Sequence, residues 1–257
     1  MSKISDNPEP LILAIETATR AGGVALARGR ETLWSASGDP SASHSTDLIE
    51  TVEKGLKSTG TKLSEVDLFA AAVGPGSFTG LRIGLATIKS FAVCTGKSCA
   101  GVSTLAAIAH AAGASEHTVS LLPAGRGELF AQLFSVRDGQ VRELDTAAHL
   151  APKAILERYG EAPDLMWAGD GAHQHAADLR EWAKARDLSF NERSSDSSSQ
   201  TQAAWSLAAA TDQLAISIAV LALDAFRGGN TVSPDELQAV YVRASDAEIN
   251  EQWQQRM

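Results

Sequence analysis

Residues 70–84 run Ala-Ala-Ala-Val-Gly-Pro-Gly-Ser-Phe-Thr-Gly-Leu-Arg-Ile-Gly, and they constrain the fold more than any other stretch. An apolar run enters a Gly-Pro-Gly turn, and a helix is expected to start near Ser77 or Thr79 and to reach about Cys94. Glycines at 74, 76 and 80 let the backbone turn sharply and pack close to a neighbour. The free amides of such a helix start can hold an anion, with Gly76 and Ser77 as contacts. The alternative is a tight strand-to-helix turn without a ligand, in which Ser77 caps the helix.

Other elements follow from local patterning. Residues 11–16 are a short buried strand, and 23–27 and 33–37 are two more, joined by Arg28-Gly29-Arg30 as a hairpin turn. Leu48, Ile49, Val52 and Leu56 recur at helical spacing among charged residues, which predicts an amphipathic helix over 44–58, with Gly60 just past its end. Then come a strand at 69–73, the helix at 78–95, a strand at 98–102 and a helix at 105–112. The second half repeats this order more loosely. Strands are expected at 118–122, 128–136 and 140–144, a helix at 152–159 opened by Pro152, and a strand at 165–168. A helix at 172–186, a strand at 188–191, a Ser-rich loop at 194–202 and a long Ala- and Leu-rich helix at 203–226 complete the series.

No sequence repeat is visible; only the order of elements repeats. That order implies an α/β chain of two ribonuclease-H-like lobes, as in the actin and sugar-kinase (ASKHA) superfamily, the second lobe reduced, each a mixed sheet with helices packed on it. The expected division is a first lobe at 1–113, completed by a helix at 203–228, and a second lobe at 114–202. The C-terminal segment 229–257 holds a candidate strand at 237–243 and a mobile tail.

Four blocks carry a more specific resemblance: ILAIETATRAGGVAL at 12–26, HSTDLIETVEKGL at 44–56, GPGSFTGLRIGLATIKSFA at 74–92 and GVSTLAAIA at 101–109. They resemble the bacterial TsaB (YeaZ) proteins, as do GRGELFAQLF at 125–134 and VYVRA at 240–244 more loosely. The resemblance implies the fold inferred above. It also implies an accessory subunit of the machinery that makes threonylcarbamoyladenosine in tRNA, with TsaD as catalytic paralogue and TsaE as ATPase partner.

Composition narrows the alternatives. A net charge of −9, from 22 basic and 31 acidic residues, argues against a dedicated nucleic-acid binder. No aromatic-basic cluster is evident, so tRNA is expected to be held indirectly, through the complex. Two cysteines, Cys94 and Cys99, are too few for a disulfide framework and are expected to be buried, inert thiols. The polar start lacks an apolar signal core, and the apolar stretch at 214–223 is too short to span a bilayer. No membrane association and a cytoplasmic location are expected.

Candidate chemistry is sparse. In ATP-binding members of the superfamily, the first hairpin carries an acidic residue and small residues that hold phosphate and metal. Here Glu16, Thr17, Ala18, Thr19 and Arg20 stand there, with Glu longer than the usual Asp and Arg bulky within the turn. The alternative is that Thr17 and Thr19 satisfy amides of their own turn. The catalytic paralogue carries two histidines four apart on one helix; four residues after His44 stands Leu48, which cannot ligate, so no metal is expected. Asp170, between two glycines, is either a nucleotide contact through magnesium or an exposed turn residue. Where TsaB sequences often carry Asp, this chain has Ala124; Arg126 and Glu128 remain to pair with each other or with a partner. The helix at 78–95 is apolar on more than one side, as expected of a helix that is deeply internal or shared with a partner.

The resemblance implies that the first two helices of the first lobe pack against TsaD. The interface residues expected are Leu48, Val52, Leu81, Leu85 and Ile88, which would also serve a homodimer when the chain is free. The chain is thus expected to be non-catalytic, with no cofactor of its own and ATP or ADP with magnesium only within the complex. The rival expectations are a stand-alone ATPase or kinase of the same fold and, with less support, a metallopeptidase-like protein.

Overall fold

The computed structural model describes residues 9–38, 44–193 and 205–242. In chain order the elements are β1 (Leu11–Glu16), β2 (Gly23–Arg28), β3 (Glu31–Ser37), α1 (His44–Thr59), β4 (Leu68–Gly74), α2 (Phe78–Thr95), β5 (Ser98–Ser103) and α3 (Thr104–Ala112). There follow β6 (Ser115–Gly125), β7 (Glu128–Arg137), β8 (Gln140–Glu143), β9 (Ala148–Leu150), α4 (Pro152–Tyr159) and β10 (Leu165–Ala168). Last come α5 (Asp170–Gln174), α6 (Ala176–Ala185), β11 (Phe190–Glu192), β12 (Trp205–Leu207) and α7 (Leu214–Arg227). Two compact units divide them. The first takes the described residues up to 72, with 83–102 and 213–238; the second takes 73–82, 103–212 and the described residues from 239 on.

The first unit is built on a mixed sheet of order β3-β2-β1-β4-β5. β1 runs antiparallel to β2, from Leu11↔Arg28 to Glu16↔Gly23, and parallel to β4, from Ile12↔Leu68 to Ile15↔Ala71. Every residue of β1 and β4 is buried, which is why β4, and β1 up to Ile15, read as unbroken apolar runs instead of alternating ones. Helix α7 packs on β1 and β2, and α1 on β2 and β3. Glycine is needed at 55 in α1, where a Cβ would stand 2.7 Å from the Trp34 ring of β3. After α7 the chain returns to the edge of β5, where Val232 and Cys99 exchange two backbone hydrogen bonds of 2.8 and 2.9 Å.

In the second unit the sheet order is β11-β12-β10-β6-β7-β8, with β9 paired to β7. β6 and β7 form a long hairpin through Arg126 and Gly127, both at positive φ. β10 is parallel to β6 and β12, and β12 to β11. Val119, Leu121, Ile155, Leu179, Trp167 and Trp205 centre its core. Among the described residues no helix is long and apolar enough to cross a membrane.

Three expectations need correction. The long helix over 203–226 does not form: Trp205–Leu207 is strand β12, and α7 starts only at Leu214. Trp205 and Leu207 are buried on either side of half-buried Ser206, and pairing with β10 and β11 outweighs the helical preference of the Ala-rich run that follows. The single helix over 172–186 is two, α5 and α6, broken at His175, whose φ and ψ of −107° and 18° leave the helical range. Residues 237–242 form no strand; Val240 makes one hydrogen bond to Val73 instead. The Ser-rich loop at 194–202 and the tail from 243 lie outside the described residues.

Candidate functional site

Leaving β1, the chain turns at once, and Glu16 folds back over that turn. Its Oε1 accepts the Ala18 and Thr19 amides at 2.5 and 2.8 Å, and its Oε2 accepts the Thr19 hydroxyl. The Gly22 amide reaches the Thr19 oxygen at 3.4 Å, so Thr19 does satisfy a turn amide, but Glu16 is the main acceptor. The carboxylate is 1% exposed. It caps its own turn where a phosphate- or metal-binding acid would project outward. Thr17 is buried against α2: a Cβ on Gly84 would collide with its hydroxyl, so Gly84 is what lets the helix lie on this turn.

The Gly-Pro-Gly turn belongs to the second unit. Ser77 is an N-cap: its Oγ accepts the Gly80 amide at 3.2 Å, and its carbonyl accepts the Leu81 amide at 2.8 Å. Gly76 sits just ahead of it, half-buried. Asp170 is an exposed residue at the start of α5. The glycines beside it are there for packing: a Cβ on Gly169 would stand 2.5 Å from the Leu121 carbonyl oxygen, and one on Gly171 2.9 Å from the Leu121 carbonyl carbon. The four candidate contact residues thus fall in different units, Thr17 in the first and Gly76, Ser77 and Asp170 in the second.

Leu48, Val52, Leu81, Leu85 and Ile88, expected at a partner interface, are instead core residues, none more than 7% exposed. They form the regular apolar stripes of α1 and α2, and a regular stripe is what the chain's own packing claims first. The outward apolar positions on these helices are Ile49 at 55% and Val93 at 66% exposure. Ala86 and Ser90, also exposed on α2, add small side chains. Ile49 was visible within the helical pattern, and Val93 as a residue off the α2 stripe.

Glu128 pairs with His149, Oε2 to Nε2 at 3.0 Å. Cys94 is exposed on the last turns of α2, contrary to expectation, whereas Cys99 is buried and its thiol is pushed up to about 11 by that burial. Asp145 ties β7 to α4: it accepts the Leu133 amide at 2.7 Å and the Tyr159 hydroxyl and Arg158 guanidinium at 2.8 Å each. Burial, and then this carboxylate, hold the Tyr159 phenol above its usual range. Among the described residues no group of three or more His, Cys, Asp or Glu is placed to hold a metal ion.

One constellation has no signal in composition. The Arg82 guanidinium lies 3.8 Å from the centroid of the Phe78 ring, and Tyr241 packs on that ring at 5.2 Å between centroids. An aromatic-basic cluster therefore exists, contrary to expectation. The spacing of Phe78 and Arg82 on one helix hints at half of it.

A family model described as "TsaD: tRNA N6-adenosine threonylcarbamoyltransferase" matches residues 39–242. The chain is 32% identical over 158 residues to the tRNA threonylcarbamoyladenosine biosynthesis protein TsaB of Escherichia coli (strain K12), covering 57% of this chain and 65% of that protein. It is 31% identical over 123 residues to the protein of the same name from Haemophilus influenzae, covering 46% of this chain and 51% of that protein. The matches thus span less than two thirds of these curated relatives. The solved structure of YeaZ from Pseudomonas aeruginosa superposes with a TM-score of 0.72 at 24% identity, covering 90% of this chain and 99% of that one, so the two-lobed α/β fold is shared. The chain belongs to the family that the matching model describes, and within it to the TsaB (YeaZ) proteins.

Proposed function

We propose that this chain is a non-catalytic subunit in the biosynthesis of N6-threonylcarbamoyladenosine in tRNA, binding and positioning a TsaD homologue, with a TsaE homologue as the ATPase. The pathway rests on the names of its relatives. The non-catalytic role rests on one observation: Glu16, where an acid would serve phosphate or metal, is buried and hydrogen-bonded to its own turn. Leu48 supports it, being a core residue where the catalytic paralogue's second histidine would stand. The partner surface is assigned to the outward faces of α1 and α2, around Ile49 and Val93, and tRNA is reached through the complex.

Co-purification of the full chain with a TsaD homologue from the same organism tests the role. A stable complex is expected; failure of the two to associate at micromolar concentration would remove it.

A second function is favoured by the family model, whose description is that of the transferase itself. Nucleotide chemistry separates the two. Titration calorimetry with ATP and magnesium should show no binding at low micromolar concentration by the chain alone. Tight binding that Glu16→Ala abolishes would favour the enzyme.

A further inference from the structure

Residues 239–242 are irregular chain, yet they grip the Gly-Pro-Gly turn through contacts of three kinds. The Val240 amide donates to the Val73 carbonyl at 2.7 Å. Gly74, at φ 119°, makes room for the passing backbone: a Cβ there would stand 2.5 Å from the Val240 carbonyl oxygen. Tyr241 lies on Phe78, the first residue of α2, with ring planes 38° apart, and Arg82 covers Phe78 one helical turn on. All these residues belong to the second unit.

The grip is one-sided. Val240 is 54% and Tyr241 48% exposed, and one backbone hydrogen bond ties 239–242 to the rest of the described chain. A segment with so little burial opens locally well below the free energy of global unfolding. What it covers is the Gly74-Pro75-Gly76 turn and a helix start capped by Ser77. Such a turn has wide conformational freedom unless something outside it restricts it.

We propose that residues 239–242 are a displaceable strap. Closed, the strap pins the Gly74–Ser77 turn and the first turn of α2 through Tyr241 on Phe78. Open, it uncovers the Val73 carbonyl and the Phe78 ring and frees the glycines, so the order of the α2 start is set by a segment some 160 residues further along the chain. The device does not depend on the partner assigned above.

Hydrogen–deuterium exchange of the full chain, read peptide by peptide, tests it on wild type, Tyr241→Ala and Tyr241→Phe. Tyr241→Ala should raise exchange across 76–82 by about tenfold, the order expected from losing an aromatic pair and the order it imposes. Strands β1 and β10 should exchange as in wild type, and Tyr241→Phe, which keeps the ring, should stay protected. Unchanged exchange at 76–82 in Tyr241→Ala would show that the segment merely rests on the turn. Faster exchange throughout the chain would make Tyr241 a general support of the fold. Either result overturns the strap.

Discussion

Leu85→Glu is expected to unfold the first unit, whereas Val93→Glu, eight residues further along the same helix, is expected to leave the fold intact and weaken capture of a TsaD homologue. Leu85 is 6% exposed and packs inward beside Ile88, which is wholly buried. A carboxylate there has no partner, and an unpaired buried charge costs several kcal/mol, a large part of the ~5–15 kcal/mol that holds a domain together. Val93 is 66% exposed, so glutamate at that position loses almost nothing in the free chain. At the centre of a partner interface the same change should cost about 2 kcal/mol or more, weakening binding roughly thirtyfold. Circular dichroism and thermal melting report the fold, and pull-down reports the partner. A folded Leu85→Glu variant would contradict the packing described here. Val93→Glu and Ile49→Glu variants that both bind as wild type would move the interface off α1 and α2.

That contrast also marks where sequence stops being legible. The period of Leu81, Leu85, Ile88 and Ala92 is plain in the sequence, and so is the second apolar side of α2. Which side meets the protein's own sheet is not, because both are written in the same residues. Here the regular stripe is internal, and the outward surface consists of the residues that interrupt it. Strands β1 and β4 and helices α1, α2 and α4 were legible because their signals are local: unbroken apolar runs, helical spacing, Gly60, and Pro152 at a helix start. The Glu16 turn was half legible. Thr19 could be expected to serve the turn, but the return of the carboxylate onto two amides and a hydroxyl depends on a backbone path that residue types do not encode. Tyr241 was invisible as part of a site because its partners, Phe78 and Arg82, lie far back in the chain.

Trp205→Ala should lower the melting temperature on the order of ten degrees. The indole is fully buried, meets Trp167 edge-on at 5.0 Å between centroids, and donates from Nε1 to the Ala162 carbonyl at 2.9 Å. Emptying that site removes a large apolar volume next to another indole and leaves the Ala162 carbonyl without its donor, at a cost of about 3–5 kcal/mol. Trp205→Phe keeps most of the volume and loses the hydrogen bond, so its melting point should fall between alanine and wild type. The order matters because the sequence places this residue near the start of a long helix, in an Ala-rich run where alanine would be neutral or helpful. A strand wedged between β10 and β11 makes the opposite demand: its tryptophan is the filling of the core, and no neighbour can replace it. A Trp205→Ala variant that melts with wild type would return residues 203–226 to the helical alternative. One that melts early, with Trp205→Phe between the two, fixes β12 as the strand that closes the second core.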